Sequence, residues 1–201
     1  AVIDPAVQIG MPFGYDNSSI SGPVKTLGLA SFYDFSQADR TRMNKTTARA
    51  YLLTASQTNL LVAEAITKGW VSGNAKDYFD AGVKTHMDQV SEMDVNSSVS
   101  SSAVDAYLAA NPFNATTALE QINTQYWISS FLNGPEAFAN FRRSGFPKLS
   151  ANPFSGKAIK GDFINRLTYP NSEISVNSVN VKAAIANQGA DDLDTKVWWN
   201  K

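Results

Sequence analysis

Thr117-Ala118-Leu119-Glu120-Gln121-Ile122-Asn123-Thr124-Gln125-Tyr126-Trp127-Ile128-Ser129-Ser130-Phe131-Leu132 is the stretch from which the fold is read. Leu119, Ile122 and Tyr126 recur at three- and four-residue steps, one line along a helix, while Trp127 and Phe131 form a second line. A helix apolar on two sides packs on two sides, so Trp127 is expected in the core. Asn133 ends this helix and is placed to cap the next one. There Pro135 suits the first turn and Glu136 complements the helix dipole, with Ala137, Phe138 and Phe141 facing inward.

Working outward, the segment Thr46–Lys68 reads as a helix that is apolar around most of its girth, through Leu52, Leu53, Leu60, Leu61, Val62 and Ile66. Gly69 ends it. A second helix over Asn74–Gln89 carries Ala75, Tyr78, Phe79, Gly82, Val83 and Met87 on one face. Together they predict a tetratricopeptide-like helical hairpin, without a second copy at a fixed period. The polar, Ser-rich residues 94–102 are a loop, and a short helix over Ala103–Ala110 stops at Asn111-Pro112.

The flanks are richer in turn formers. Pro5, Gly10, Pro12, Gly14, Asn17, Gly22 and Pro23 make about the first 35 residues loops with room for short strands, and Pro147, Pro153, Gly156, Gly161 and Pro170 break up Gly145–Ser178. A last helix runs over Val179–Gln188, stopped by Gly189, and Trp198-Trp199 is expected to dock the terminus onto the body. The fold class is therefore mainly α: a helical hairpin and further packed helices with long ordered loops. It is read as a single domain over 1–201, loop-rich over 1–45, helical over 46–144 and irregular with one helix over 145–201.

Composition narrows the function. With 17 Lys and Arg against 18 Asp and Glu, no basic face for nucleic acid is implied. The cluster Arg40, Arg42, Lys45 and Arg49, beside Asp39, reads as a solvated, partly paired helix entry. There is no cysteine, so thiol chemistry, disulfides and thiolate metal sites are excluded. No stretch approaches the ~18 apolar residues of a membrane-spanning helix. Ala1-Val2-Ile3-Asp4-Pro5 has neither the basic start nor the apolar core of a signal peptide.

Several strings resemble one family. Leu119-Glu120-Gln121-Ile122-Asn123-Thr124-Gln125-Tyr126-Trp127-Ile128 is similar to an I-x-x-Q-K-W-I helix, and Asn133-Gly134-Pro135-Glu136-Ala137-Phe138 to N-G-x-E-A-W. Phe141-Arg142-Arg143-Ser144-Gly145-Phe146-Pro147 is similar to W-R-R-T-G-Y-P, and Arg166-Leu167-Thr168-Tyr169-Pro170-Asn171-Ser172-Glu173 to R-x-x-Y-P-x-S-E. Lys196-Val197-Trp198-Trp199 matches a K-V-W-W-D end, and Ala63-Glu64-Ala65 with Gly69-Trp70 resembles an A-E-A-x-x-R-G-W hairpin. In this order the strings resemble the SusD/RagB-like nutrient-binding lipoproteins, in the branch near RagB, well from about residue 50 onward and loosely before it. Tyr126 stands for a usual Lys, Phe138 and Phe141 for Trp, and Phe146 for Tyr. Only at Tyr126 is a positive charge lost.

The resemblance implies a helical scaffold at the bacterial outer membrane, non-catalytic, holding a glycan or a peptide for a SusC-like TonB-dependent transporter. It implies that the chain is the carboxy-terminal part of a longer lipoprotein whose lipid anchor lies in the missing amino-terminal part. No cofactor is expected beyond the structural calcium that the Asp191–Asp194 stretch invites, and the charge balance argues against a nucleic-acid partner.

The residues themselves allow competing readings. Arg142 and Arg143 suit a carboxylate or phosphate ligand, or else one pairs with a buried carboxylate such as Glu64, Glu120 or Glu173 while the other binds carbonyls at a helix end. His86 has no ligand-spaced partner and no nucleophile turn, so it reads as neither metal ligand nor catalytic base. Asp191, Asp192 and Asp194 invite a structural calcium, although the glycine and distal Glu of an EF-hand loop are missing. The same pair of Asp191 and Asp194, or Glu64 or Glu136, would have to serve a glycosidase, the alternative function, and a purely structural interaction module is a third. For ligand contacts, Phe13, Tyr15, Asp16 and Asn17 combine rings with short polar groups in a turn-rich stretch, as sugar sites do, unless Phe13 and Tyr15 simply anchor the loop to the body; Phe32, Tyr33 and Arg42 follow. No catalytic residue and no metal ligand is expected.

Overall fold

The computed structural model describes residues 5–39, 41–43 and 45–200, so Arg40 of the basic cluster and residues 1–4 lie outside the described residues. Among the described residues there is no strand, as a mainly α chain requires. In chain order the helices are α1 (Ser21–Thr26), α2 (Ala55–Thr67), α3 (Ala75–Met93), α4 (Ser101–Ala110), α5 (Ala118–Ser129), α6 (Gly134–Ser144), α7 (Asn171–Val176) and α8 (Ser178–Gln188). They belong to two compact units: Asp39–Leu149, and Ala1–Ala38 together with Ser150–Lys201.

In the first of these units, α2 and α3 form the expected hairpin. Ser56 Oγ donates to the Gly82 carbonyl at 2.8 Å near one end, and Ile66 lies against Gly73 at the other, so the chain directions oppose. α5 packs on α2, and α6 returns along α5. Leu60, Ala63, Phe79, Val83, Ala118, Ile122 and Tyr126 form the core, with Met87, Tyr107, Leu108 and Phe113 packed around it. Each large side chain fully buried there contributes about 1.5–3 kcal/mol.

Three expectations are corrected here. α2 starts at Ala55, not Thr46, because Thr54 and Gln57 form a capping box: Thr54 Oγ1 accepts from Gln57 N at 3.1 Å, and Thr54 N donates to Gln57 Oε1 at 3.0 Å. Leu52 and Leu53, read as helix core, are exposed ahead of that cap. Trp127 is 39% exposed, because α5 is covered along its Ile122–Tyr126 line and not along the Trp127–Phe131 line. Asn133 stands at the start of α6 without capping it; its amide donates to the Tyr51 carbonyl at 3.2 Å.

In the other unit, loop carboxylates make several of the long-range contacts. Buried Arg166 donates from Nη2 to Asp191 Oδ1 at 2.9 Å, and Asp191 also accepts from Tyr169 N at 3.1 Å. Asp194 accepts from Lys160 N at 2.9 Å and Gly161 N at 2.8 Å. The irregular stretch after Gly145 contains one helix more than the turn formers suggested. Pro170 precedes α7 and its carbonyl accepts from Glu173 N, and six residues are too few to show a helical period. α8 ends at Gly189 as expected. Trp198 is 81% exposed and so is not docked.

Candidate functional site

The loop carrying Phe13, Tyr15, Asp16 and Asn17 is shaped by a glycine and a carboxylate. Gly14 has φ 85°, and a Cβ there would come within 2.7 Å of Asn152 Oδ1 and Pro153 Cδ, so only glycine permits this approach. Asp16 Oδ1 accepts from Ser18 N, Ser18 Oγ, Ser19 N and Ser19 Oγ at 2.7 to 3.0 Å. The Ser19 and Ser18 hydroxyls, with their amides, hold this carboxyl down at about 2. Phe13 and Tyr15 stay 53% and 42% exposed on either side of Gly14, and Asn17 is exposed at the turn.

In the same unit, Phe32 and Tyr33 sit on a short 3-10 turn fixed by Ser31 and Asp34, each accepting from the other's side of the cap. Phe35 is the buried anchor. Phe32 packs edge-on to both Phe35 and Tyr33, which leaves Tyr33 80% exposed.

Arg42 lies in the other unit. Its Nε is 3.5 Å from Asp39 Oδ2, and it lines a cavity of about 330 Å3 together with Lys45, Arg49, Tyr51, Glu92 and residues at the ends of α3 and α5. The described members of the basic run, Arg42, Lys45 and Arg49, therefore line a cavity and precede α2 instead of opening it. The Thr54-x-x-Gln57 cap was the sequence signal that places Lys45 and Arg49 outside α2. Next to it lies an apolar hollow of about 510 Å3, lined by His86, Val90, Trp127 and Ile128 and sharing Met43, Met93, Phe131 and Leu132 with the first. Burial pushes His86 below its ordinary value, which keeps it neutral at physiological pH.

The carboxylates that a glycosidase would need are engaged elsewhere. Glu64 is buried and accepts from Arg143 Nη1 at 2.6 Å and Nη2 at 2.7 Å, with Lys68 Nζ at 2.8 Å. Burial alone would raise its pKa, but the Arg143 and Lys68 hydrogen bonds and charges hold it at about 2. Such a carboxylate is a poor proton carrier near neutrality. Arg143 also donates to Asn140 and Asn123, which makes it the structural member of the Arg142-Arg143 pair. The Arg142 guanidinium lies over the Phe138 ring, 4.2 Å from its centroid. Glu136 accepts from the Tyr126 hydroxyl at 2.7 Å; burial, together with this bond, pushes the phenol up and keeps it neutral. Asp192 accepts from the Asp194 and Thr195 amides and the Thr195 hydroxyl. Among the described residues no group of three or more His, Cys, Asp or Glu is placed to hold a metal ion, and no helix is long and apolar enough to cross a membrane.

The model of the SusD-like family, described as "Susd and RagB outer membrane lipoprotein", matches residues 29–200. The chain belongs to the SusD-like family. That description places family members at the outer membrane as lipoproteins. Among solved structures, this SusD-like chain is similar to a chitin-binding protein at 39% identity and a TM-score of 0.68, over 72% of the chain and 32% of that protein. It is similar to a chitin-binding SusD homolog from Flavobacterium johnsoniae at 26% identity and 0.71, over 98% and 44%. A Bacteroidetes AC2a SusD-like structure matches at 28% identity and 0.74, over 95% and 40%. The chain thus spans less than half the length of each. A search of curated proteins found no match.

Proposed function

We propose that the protein binds a glycan at the cell surface without altering it, and passes it to a SusC-like TonB-dependent outer-membrane transporter. The observation that carries this reading is the family match over residues 29–200. Two similar structures described as chitin-binding favour a glycan over a peptide and make chitin oligosaccharides the first ligands to try. The engagement of Glu64 with Arg143 and Lys68 supports binding without hydrolysis.

The surface proposed for the sugar is the one built on Phe13, Tyr15, Asp16 and Asn17, with Phe32 and Tyr33. Exposed rings offer flat apolar faces to the C–H side of a sugar, and the Asn17 amide and the second oxygen of Asp16 suit its hydroxyls. Calorimetric titration with chitin oligosaccharides, followed by chromatography of the sugar, tests the reading. Saturable binding with the oligosaccharide recovered intact is expected; released shorter products, or no binding across a panel of glycans, would overturn it. Delivery is tested by co-purification with a large β-barrel protein from detergent-solubilised outer membranes.

A further inference from the structure

The cavity of about 330 Å3 beside Arg42 falls in the size range of small-ligand sites. Its lining is unbalanced in charge, with Arg42, Lys45 and Arg49 against the single carboxylate of Glu92. Arg49 Nη1 reaches Glu92 Oε2 at 3.0 Å, and Arg42 leans on Asp39, outside the lining, at 3.5 Å. A guanidinium has five N–H donors, so each pair leaves donors over. Among the described residues no carboxylate engages Lys45 in an ion pair.

The part of the wall at Arg49–Tyr51 is held in place. Tyr51 donates to Glu92 Oε2 at 3.4 Å, and its carbonyl accepts from Asn133, which ties residues 49–51 to α3 and to the start of α6. Thr54 and Gln57, buried, close one side, where Gln57 Nε2 donates to Ser130 Oγ at 3.3 Å. The result is a net-positive recess with an aromatic ring in its wall, tied down at Arg49 and Tyr51.

We propose that this recess is a subsite for a negatively charged sugar unit, a uronate or a sulfated sugar. The proposal rests on the glycan-binding reading and adds the charge of one unit. A planar carboxylate, or a sulfate, takes two parallel N–H bonds from a guanidinium, which neutral hydroxyls do not match. The Lys45 ammonium adds a salt-dependent attraction, and the Tyr51 ring gives the sugar's C–H face a surface to lie on. The site lies in a different compact unit from Phe13 and Tyr33, so the two are tested separately.

The test is titration of the protein with oligogalacturonate, with a sulfated disaccharide and with a neutral chitin oligosaccharide, each at low and raised salt. At least one anionic sugar binds, and more weakly as salt rises; which one binds tells carboxylate from sulfate. Lys45→Glu, at an exposed position, weakens that binding by about tenfold or more and leaves the neutral sugar unchanged, while Lys45→Arg retains it. Binding of neither anionic sugar, or binding that Lys45→Glu does not move, overturns the subsite. Chitin binding alone would sink this proposal and keep the broader one; no binding of any glycan would sink both.

Discussion

Arg143 and Glu64, separated by 79 residues in sequence, meet in a two-point ion pair with N–O distances of 2.6 and 2.7 Å. The pair fastens α6 to α2, and Arg143 Nη2 reaches Asn123 on α5 as well, at 3.2 Å. Three helices are thus joined through one guanidinium, in a part of the molecule where a functional reading of the Arg-Arg motif would have put a ligand.

Removing that guanidinium leaves a buried carboxylate with Lys68 alone. Arg143→Ala is expected to lower unfolding stability by about 2–4 kcal/mol, somewhat below the full loss for a broken buried pair because Lys68 remains and Arg143 is partly exposed. Arg143→Lys recovers only part of it, since an ammonium cannot make the two-point contact. Urea unfolding midpoints at neutral pH measure both.

The same cluster sets an acid limb. Glu64 lies at about 2 when folded, against an ordinary 4.5, so the unfolded chain binds the extra proton. Its contribution is fully present above about pH 4.5, and shrinks as pH falls toward 2. Unfolding curves for the wild type and Glu64→Gln are expected to differ most at neutral pH and to converge across that window. A constant gap between them down to pH 2 would contradict the assignment.

Gly82 marks a close approach in the α2–α3 hairpin. A Cβ there would stand 2.7 Å from Leu60 Cγ and 2.8 Å from Leu60 Cδ2, and Leu60 is fully buried in the core. Gly82→Ala is therefore expected to destabilise by about 1–3 kcal/mol through overpacking, despite the better helix propensity of alanine. Thermal unfolding of the variant checks it.

The start of α2 is held by reciprocal side-chain bonds between Thr54 and Gln57. Thr54→Ala is expected to cost about 1 kcal/mol, and Thr54→Ser much less, because the serine hydroxyl restores the cap. Hydrogen exchange of the Gln57 and Thr58 amides locates the effect at this terminus.

The hairpin, α5, α6 and α8 were legible because apolar periods of three and four residues survive in Phe79–Val83 and Ile122–Tyr126, and because Gly69, Gly145 and Gly189 punctuate them. Trp127 was misread because periodicity reports which faces of a helix are apolar, and not how many of them find a partner. Leu52 and Leu53 were misread for the opposite reason: a local capping signal at Thr54 outweighed a run of good helix formers. Within the candidate site, a turn-rich loop at Phe13–Asn17 followed from the sequence, though not whether its rings anchor it or stay exposed, as they do. The cavity at Arg42 did not, since it is assembled from residues 42–57, 89–93 and 129–133, which no local pattern links.

The central claim, binding of a glycan without turnover on the Phe13–Asn17 and Phe32–Tyr33 surface, is tested most directly by one titration. Chitin oligosaccharide is titrated into the wild type and into a Phe13→Ala, Tyr33→Ala double variant of equal thermal stability. The account predicts saturable binding by the wild type, at least tenfold weaker in the variant, with the sugar recovered unchanged. Equal affinity in both proteins, or appearance of cleaved sugar, would contradict it.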